Sequence, residues 1–155
     1  MLITVWRHGE AGMAPRDEDR QLTQRGQLTV RDAALEFHER IALADLPPPD
    51  LCLFSPLVRT RETSQILATE WGVTQQSCAA LAPGTRVNQL ETFVASDREH
   101  QVFVSHQPFV SELIAHWIDG YEVAPLLPGG WATIDLMAPV RGGGSLVFAR
   151  PSVYV

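Results

Sequence analysis

Lysine is absent from this chain of 155 residues, and all twelve of its basic residues are arginine. The absence excludes chemistry that needs a lysine amine, such as Schiff-base catalysis, and it excludes the phosphate-binding lysine of a P-loop. The glycine run at 142–144 does not supply a P-loop either, because no helix and no lysine follow it. Any site for an anionic ligand must therefore be built from arginine, histidine and backbone N–H groups.

Cysteine is scarce as well. Cys52 and Cys78 are the only two, and they form no C-x-x-C pair, so we expect two reduced thiols and no disulfide. His100 and His116 fit no metal-ligand spacing with each other or with the other histidines. The sequence thus predicts neither a metal site nor a cofactor.

Long hydrophobic runs are also missing, so no segment is expected to span a membrane. Residues 1–6 lack the basic region and long apolar stretch of a signal peptide and are typical of a strand, which favours a cytoplasmic location. The net charge of −6 disfavours binding to nucleic acid or to anionic lipid. A monomer is the default expectation.

The composition, with 45% hydrophobic and 19% charged residues, is typical of one globular domain spanning residues 1–155. Predicted strands and helices alternate, which favours an α/β fold with a parallel-type sheet and helices on its faces. The first strand is expected over 2–6. Helical spacing of apolar residues predicts a helix over 23–43, with Thr23 as its N-cap.

The second strand, 51–54, is apolar throughout, as expected for a strand buried on both faces. Ser55 is expected to cap a helix that begins at Pro56 and ends near Trp71 before Gly72. Later elements are expected in this order: a short helix over 87–95, a strand over 101–104, a helix that ends near Trp117 before Gly120, and strands over 131–137 and 145–149 joined by a hairpin turn at 142–144.

Phosphate-compatible residues follow three of these strands directly. They are Arg7-His8-Gly9-Glu10 after the first strand, Ser55 to Arg59 after the second, and Ser105-His106 after the later one. In open α/β sheets, ligands lie beyond the carboxyl ends of the strands. We therefore expect the three junctions to converge on one pocket.

The residue types at these junctions suit phosphoryl transfer. Arg7 and Arg59 each carry a fork that can bind two phosphoryl oxygens, and Arg59 lies in a first helical turn, where free N–H groups favour an anion. A neutral His8 can attack phosphorus, and Gly9 leaves room for the backbone to approach the ligand. A protonated His106 would stabilise the charge of the transition state.

These segments resemble the motifs of the histidine phosphatase superfamily, as does the stretch from Arg20 to Gly26. The resemblance implies a three-layer α/β/α sandwich of the phosphoglycerate mutase-like type, with a mostly parallel central sheet and an antiparallel edge strand. It implies that His8 is a nucleophile that is transiently phosphorylated. It further implies a phosphoryl site made by the set Arg7, Gly9, Arg59 and His106, with a pocket edge made by the set Glu10, Arg20 and Gln107.

One departure from the family pattern bears on the substrate. Larger members that act on phosphate esters carry an acid, usually Glu, between the second and third motifs, but residues 79–85 contain no carboxylate. An alkoxide leaving group needs a proton from such an acid, whereas the imidazole of a phosphohistidine needs less help. The short chain resembles the bacterial SixA-type phosphohistidine phosphatases. That resemblance implies a substrate histidine on a phosphotransfer (HPt-type) domain of a signalling protein.

Two alternatives stay open at this point. A phosphatase of a small ester, such as a sugar or nucleotide phosphate, would use the same nucleophile and would need a carboxylate from elsewhere, for which Glu10, Asp19 and Glu91 are available. A phosphate-binding module without catalysis ranks lower, because both motif histidines are present. The acidic run at 17–19 is expected to be a solvated loop, and the sequence leaves open whether the loop over 12–20 closes on the substrate.

Overall fold

The computed structural model describes residues 1–150, so the last five residues of the expected 1–155 domain lie outside the described part. The strands are β1 Leu2–Arg7, β2 Leu51–Phe54, β3 Gln75–Ser77, β4 His100–Ser105, β5 Trp131–Leu136 and β6 Gly144–Arg150. The α-helices are α1 Gln24–Leu43, α2 Val58–Trp71, α3 Val87–Glu91 and α4 Phe109–Ile118. Short 3₁₀ helices occupy Asp17–Asp19 and Ala79–Leu81.

One six-stranded sheet, in the order β3-β2-β4-β1-β5-β6, forms the centre of the fold. The first four strands of that order run parallel, while β5 pairs antiparallel with β1, and β6 pairs antiparallel with β5. The edge strand β6 is thus antiparallel to its neighbour, as expected. Strand β5, which lies next to β6 in the sheet, runs antiparallel to the direction that β1 to β4 and β6 share.

Helices cover both faces of the sheet, which confirms the α/β/α sandwich. In β1, Ile3 and Val5 belong to the core on the side of α4, whereas Trp6 belongs to the core on the side of α1. On the second side, Trp6 packs edge-on against Phe37 with ring centroids 5.6 Å apart. A strand with apolar residues on both faces must be covered twice, so the position of β1 in the middle follows from its sequence.

The predicted ends of two helices are confirmed. Thr23 caps α1 by accepting a hydrogen bond from the Gly26 N–H at 2.9 Å, and Gly72 ends α2 in the left-handed conformation at φ 67°. The end of α4 differs, because Asp119 and not Gly120 takes the left-handed position, at φ 50°. α3 is also shorter than predicted and ends at Glu91.

The predicted start of α2 is wrong. The helix begins at Val58, with Leu57 at the N-cap position, so Ser55 and Pro56 both precede it. The Ser55 hydroxyl is instead fully buried and bonded to His106 and Thr60. Strand β3 was not predicted, because its residues are polar and exposed and it forms only at the sheet edge beside β2.

Within residues 1–150, none of the helices combines the length and apolar character that crossing a bilayer requires. Cys52 and Cys78 are both buried and unpaired, as expected of two thiols. Burial raises the pKa of the Cys52 thiol to about 12, so it does not ionise at neutral pH.

A buried histidine ties the sheet to the loop before β2. His100 Nδ1 donates to the carbonyl of Pro47 at 2.8 Å, which leaves Nε2 to accept from the Thr4 hydroxyl at 2.8 Å. The Thr4 hydroxyl in turn lies 2.8 Å from that of Thr133 on β5. Burial lowers the pKa of His100 from 6.5 to about 4, so the ring is neutral in the folded protein near neutral pH.

We expect the free energy of unfolding to fall as the pH is lowered from about 6.5 towards 4. The unfolded chain takes up a proton at His100 near pH 6.5, but the folded chain does so only near pH 4. Urea denaturation across this range measures the slope. His100→Asn should make the slope shallower whatever its effect on absolute stability, and an unchanged slope would show that His100 does not contribute.

Candidate active site

The parallel pairing of β1 with β4 brings two of the three motif junctions together. Arg7 lies opposite Ser105 in the register, and the His8 N–H donates to the Ser105 carbonyl at 3.1 Å. The rings of His8 and His106 are therefore neighbours, with centroids 5.2 Å apart. β2 on the other side of β4 adds the third junction, since the Ser55 N–H donates to the Val104 carbonyl at 3.2 Å. The three junctions converge on one pocket at the carboxyl edge of the sheet.

His8 has the tautomer and charge that a nucleophile needs. Its side chain is buried, and Nδ1 lies 2.7 Å from the Gly9 carbonyl. A carbonyl can only accept, so Nδ1 carries the proton and Nε2 keeps its lone pair. Burial lowers the pKa of His8 to about 4, and the positive charges of Arg59 and Arg7 act in the same direction. The ring is thus neutral at neutral pH, with Nε2 available for attack.

Gly9 has a different role from the expected one. Its N–H donates to the Thr63 hydroxyl at 3.0 Å, so it is already engaged within the protein. A Cβ at this position would lie 2.6 Å from Cγ2 of Val30 on α1. The missing side chain therefore lets α1 pack against the loop that carries His8, and the room expected for a ligand is taken by Val30.

Arg7 is held by a loop that the sequence analysis did not single out. Its Nη1 donates to the Leu126 carbonyl at 2.8 Å, and Gln107 Nε2 donates to the same carbonyl at 3.4 Å. In the same loop, the Gly129 N–H lies 3.0 Å from the His8 carbonyl. Gln107 thus lies beside Arg7 at the pocket edge, as expected. The supporting loop was missed because its contacts are made by backbone atoms, which no side-chain motif reports.

The buried guanidinium of Arg59 meets a carboxylate that was expected to be solvated. Arg59 Nη1 donates to the Asp17 carbonyl at 2.8 Å, and Nη2 donates to the Asp17 carboxylate at 3.1 Å. The same carboxylate lies 3.3 Å from Arg20 Nη1. The Arg59 hydrogen bond, followed by that of Arg20, lowers the pKa of Asp17. The Asp17 side chain is 64% exposed, as expected of a solvated segment, but it also contacts Arg59, which the sequence did not predict.

Arg20 lies at the pocket edge, but its donors are used by its own loop. Nε donates to the Gly12 carbonyl at 2.8 Å, and Nη2 donates to the Ala11 carbonyl at 3.4 Å. Because Nη1 also donates to the Asp17 carboxylate, the guanidinium of Arg20 holds in place the segment that contacts Arg59. Arg20 therefore acts on the site through Asp17 in this structure.

The three carboxylates available to the small-ester alternative, which are Glu10, Asp19 and Glu91, have other partners. Glu10 accepts from the Thr23 hydroxyl at 3.0 Å and from Arg25 Nη2 at 2.8 Å, so it braces the start of α1 and not the pocket edge. Asp19 pairs with Arg16 at 3.4 Å, and Glu91 with His116 at 2.7 Å. Among residues 1–150, no group of three or more His, Cys, Asp or Glu is placed to hold a metal ion.

His106 is oriented by Ser55. Its Nε2 lies 2.6 Å from the Ser55 hydroxyl, which is also 2.9 Å from the hydroxyl of Thr60. Burial lowers the pKa of His106 to about 3, and repulsion from His8 and Arg59 adds to the effect. The ring is therefore neutral at neutral pH, whereas stabilising the charge of a transition state would need the protonated form. A phosphoryl dianion bound beside His106 would raise its pKa and favour the protonated ring.

Three buried nitrogen atoms in the pocket have no hydrogen-bond partner among the described residues. They are Nε of Arg7, Nε of Arg59 and Nδ1 of His106. Buried polar atoms in folded proteins are nearly always bonded, so such atoms call for a ligand or a water. All three belong to side chains predicted to bind a phosphoryl group. The pocket thus presents unsatisfied nitrogens beside the neutral imidazole of His8, an arrangement suited to phosphoryl transfer.

Residues 3–82 match the sequence model of the histidine phosphatase superfamily, branch 1, which covers just over half of the chain. The chain belongs to this superfamily, and membership implies a phosphatase, a hydrolase that removes phosphoryl groups. No curated protein matches the sequence.

Solved structures of the same fold include phosphatases with different substrates. One is the protein histidine phosphatase SixA in complex with tungstate, at 20% identity over 97% of both chains with a TM-score of 0.80. Another is a candidate phosphohistidine phosphatase SixA from Agrobacterium tumefaciens, at 21% identity over 97% of both chains with a TM-score of 0.79. The α-ribazole phosphatase from Shigella flexneri is 19% identical over 98% of this chain and 96% of its own, with a TM-score of 0.69. At these identities the likeness establishes the fold.

The protonation of His8 can be measured directly. We expect ¹⁵N NMR of histidine-labelled protein to show His8 as the Nδ1–H tautomer, neutral down to a pH of about 4, because burial and neighbouring arginines oppose a second proton. The same protein unfolded in urea supplies the reference titration. A His8 ring that titrates near 6.5 in the folded protein, or that carries its proton on Nε2, would contradict the proposed nucleophile geometry.

The Asp17 contact predicts a change in anion affinity. Asp17→Asn should strengthen the binding of inorganic phosphate by about two- to fivefold, because it removes a negative charge that competes for Arg59, and pairs with an exposed partner contribute less than about 1 kcal/mol. Titration calorimetry measures the Kd. Asp19→Asn, on the same 3₁₀ helix but paired with Arg16, is the matched control and should leave the Kd unchanged. Weaker binding by Asp17→Asn would mean that Asp17 mainly holds Arg59 in position.

Proposed function

We propose that this chain is a metal-independent phosphohistidine phosphatase that dephosphorylates a histidine on a phosphotransfer (HPt-type) signalling protein in the cytoplasm. The observation that carries the proposal is the set of unpartnered buried nitrogens on Arg7, Arg59 and His106 around the His8 ring. Together they offer donors for three phosphoryl oxygens and a nucleophile beside them. The protein acts as a monomer, with the partner's phosphohistidine entering the pocket from outside.

The reaction proceeds in two displacements. In the first, Nε2 of His8 forms a bond to phosphorus while the P–N bond to the substrate imidazole breaks, and the electron pair of that bond stays on the substrate nitrogen. Arg7, Arg59 and His106 stabilise the charge on the three equatorial oxygens. In the second, water attacks phospho-His8, and the product is inorganic phosphate with His8 regenerated. The Gly9 carbonyl holds the His8 ring in one orientation throughout.

The distribution of carboxylates favours phosphohistidine over an ester. Residues 79–85 carry no acid, and Glu10, Asp19 and Glu91 are bonded to other groups. An ester would release an alkoxide that needs a proton, and a general acid contributes about 10²–10⁴-fold. An imidazole leaves as a neutral ring when its distal nitrogen is protonated. The likeness to SixA structures points to the same substrate class.

The test is hydrolysis, in EDTA, of a phosphotransfer domain phosphorylated on histidine. We expect the wild-type chain to release phosphate from it in preference to sugar and nucleotide phosphates. His8→Ala should abolish turnover, because no nucleophile remains. His38→Ala, which removes an exposed histidine of α1, is the matched control and should retain full activity. Substantial turnover by His8→Ala would refute the covalent mechanism.

A small-ester phosphatase is the second candidate, since the α-ribazole phosphatase of Shigella flexneri shares this fold. In that case an ester would be cleaved efficiently and the phosphohistidine protein left intact. His8 would keep its role, and the substrate assignment would be overturned. A binding module without catalysis predicts phosphate binding with no turnover of either substrate.

A further inference from the structure

A cavity of about 220 Å³ is lined by His106 and by Gln107, which shares the Leu126 carbonyl with Arg7. Its walls come from the 83–85 segment on one side and the start of α4 on the other, and the polar side chains that line it include His106, Gln107 and Glu112. Cavities that bury drug-sized ligands measure about 300–1,000 Å³. This one is therefore sized for a single small ring. It sits where the family's acid is missing.

Glu112 is the carboxylate in this cavity, and its charge is not neutralised by its neighbours. The adjoining groove along α4 is lined by Glu112 together with two basic side chains, His116 and Arg141. His116 is paired with Glu91 at 2.7 Å, and Arg141 with Asp119 at 3.4 Å. Among the described residues, Glu112 has no ion pair and no side-chain hydrogen bond, so its carboxylate is available to a ligand.

We propose that this cavity is the leaving-group subsite and that the Glu112 carboxylate accepts a hydrogen bond from the distal ring N–H of the substrate phosphohistidine. This inference rests on the proposed function and deepens it. Pro83, Gly84 and Pro108 supply apolar walls for the ring, and His106 also lines the cavity, so the cavity borders the phosphoryl-binding residues. The subsite takes a planar ring with an N–H donor, and its negative charge disfavours an anionic leaving group.

The chemical effect follows from the charge of the carboxylate. A P–N bond to imidazole breaks readily when the distal nitrogen holds a proton, because the ring then leaves as neutral imidazole and not as an anion. A carboxylate next to that N–H favours the protonated ring. Glu112 only accepts a hydrogen bond and donates no proton in this step, so proton balance is kept. A general acid would donate a proton to the leaving group. Glu112 instead stabilises a proton that the substrate ring already carries.

The test compares Glu112→Gln with the wild-type chain on two substrates. With a histidine-phosphorylated phosphotransfer domain, we expect kcat/KM to fall on the order of tenfold, as is typical when a charge-assisted hydrogen bond is lost. With p-nitrophenyl phosphate, whose leaving group has no N–H and departs as an anion, we expect no loss of kcat/KM and a rise of at most about fivefold, because the repelling charge is removed. Glu39→Gln, at an exposed position on α1, is the matched control and should behave as wild type on both.

The pH profile separates this role from a structural one. In the wild-type chain, the alkaline decline of kcat on phosphohistidine should lie at higher pH than in Glu112→Gln, because kcat reports the enzyme–substrate complex, in which the carboxylate helps the ring to keep its proton. The other titratable groups that line the cavity and the adjoining groove are unchanged between the two chains; they are His106, His116, Tyr121 and Arg141.

The outcomes are distinguishable. If wild-type protein cleaves phosphohistidine and Glu112→Gln does so equally well, or loses activity equally on both substrates, the leaving-group role is wrong and the proposed function stands. If wild-type protein leaves phosphohistidine intact, the proposed function fails, and this inference fails with it.

Discussion

The parallel pairing of β1 with β4 is the constraint on which the site depends. Its register places Arg7 opposite Ser105, so the chain leaves both strands at the same height and His8 meets His106 with ring centroids 5.2 Å apart. Slipping the register by one residue would turn alternate side chains to the other face of the sheet. The buried apolar residues on both faces of β1 resist such a slip. The core that stabilises the fold thus also sets the geometry of the pocket.

Burial of positive charge is the second organising feature of the pocket. The pocket holds two arginines, Arg7 and Arg59, together with two histidines. The carboxylate of Asp17 contacts Arg59 at its outer side. Burial, with repulsion from the arginines added to it, lowers the pKa values of both histidines and keeps them neutral at neutral pH. One physical condition therefore makes His8 nucleophilic and leaves the pocket receptive to a dianion. Since lysine is absent, the charges are carried on planar forks suited to phosphoryl oxygens.

The placement of carboxylates around the pocket bears on substrate choice. Asp17 lies on the outer edge of Arg59, and Glu112 lines the cavity beside His106. A substrate with a neutral or protonated ring as its leaving group suits this arrangement, whereas a leaving group with its own negative charge would be repelled. Solved structures of this fold include phosphatases for protein histidine and for α-ribazole phosphate. Side chains at the pocket rim, rather than the shared sheet, must then select the substrate.

Local sequence determined the elements whose signals are short in range. The apolar spacing of α1, the continuous apolar run of β2 and the turn at Gly72 each depend on neighbouring residues alone, and the residue types after three strands sufficed to predict the pocket. Tertiary structure decided what depends on distant partners. Ser55 holds His106 rather than capping α2, and Gly9 makes room for Val30. The local sequence does not indicate which distant group a hydroxyl, a glycine or a carboxylate will contact. Only the folded chain could therefore assign these roles.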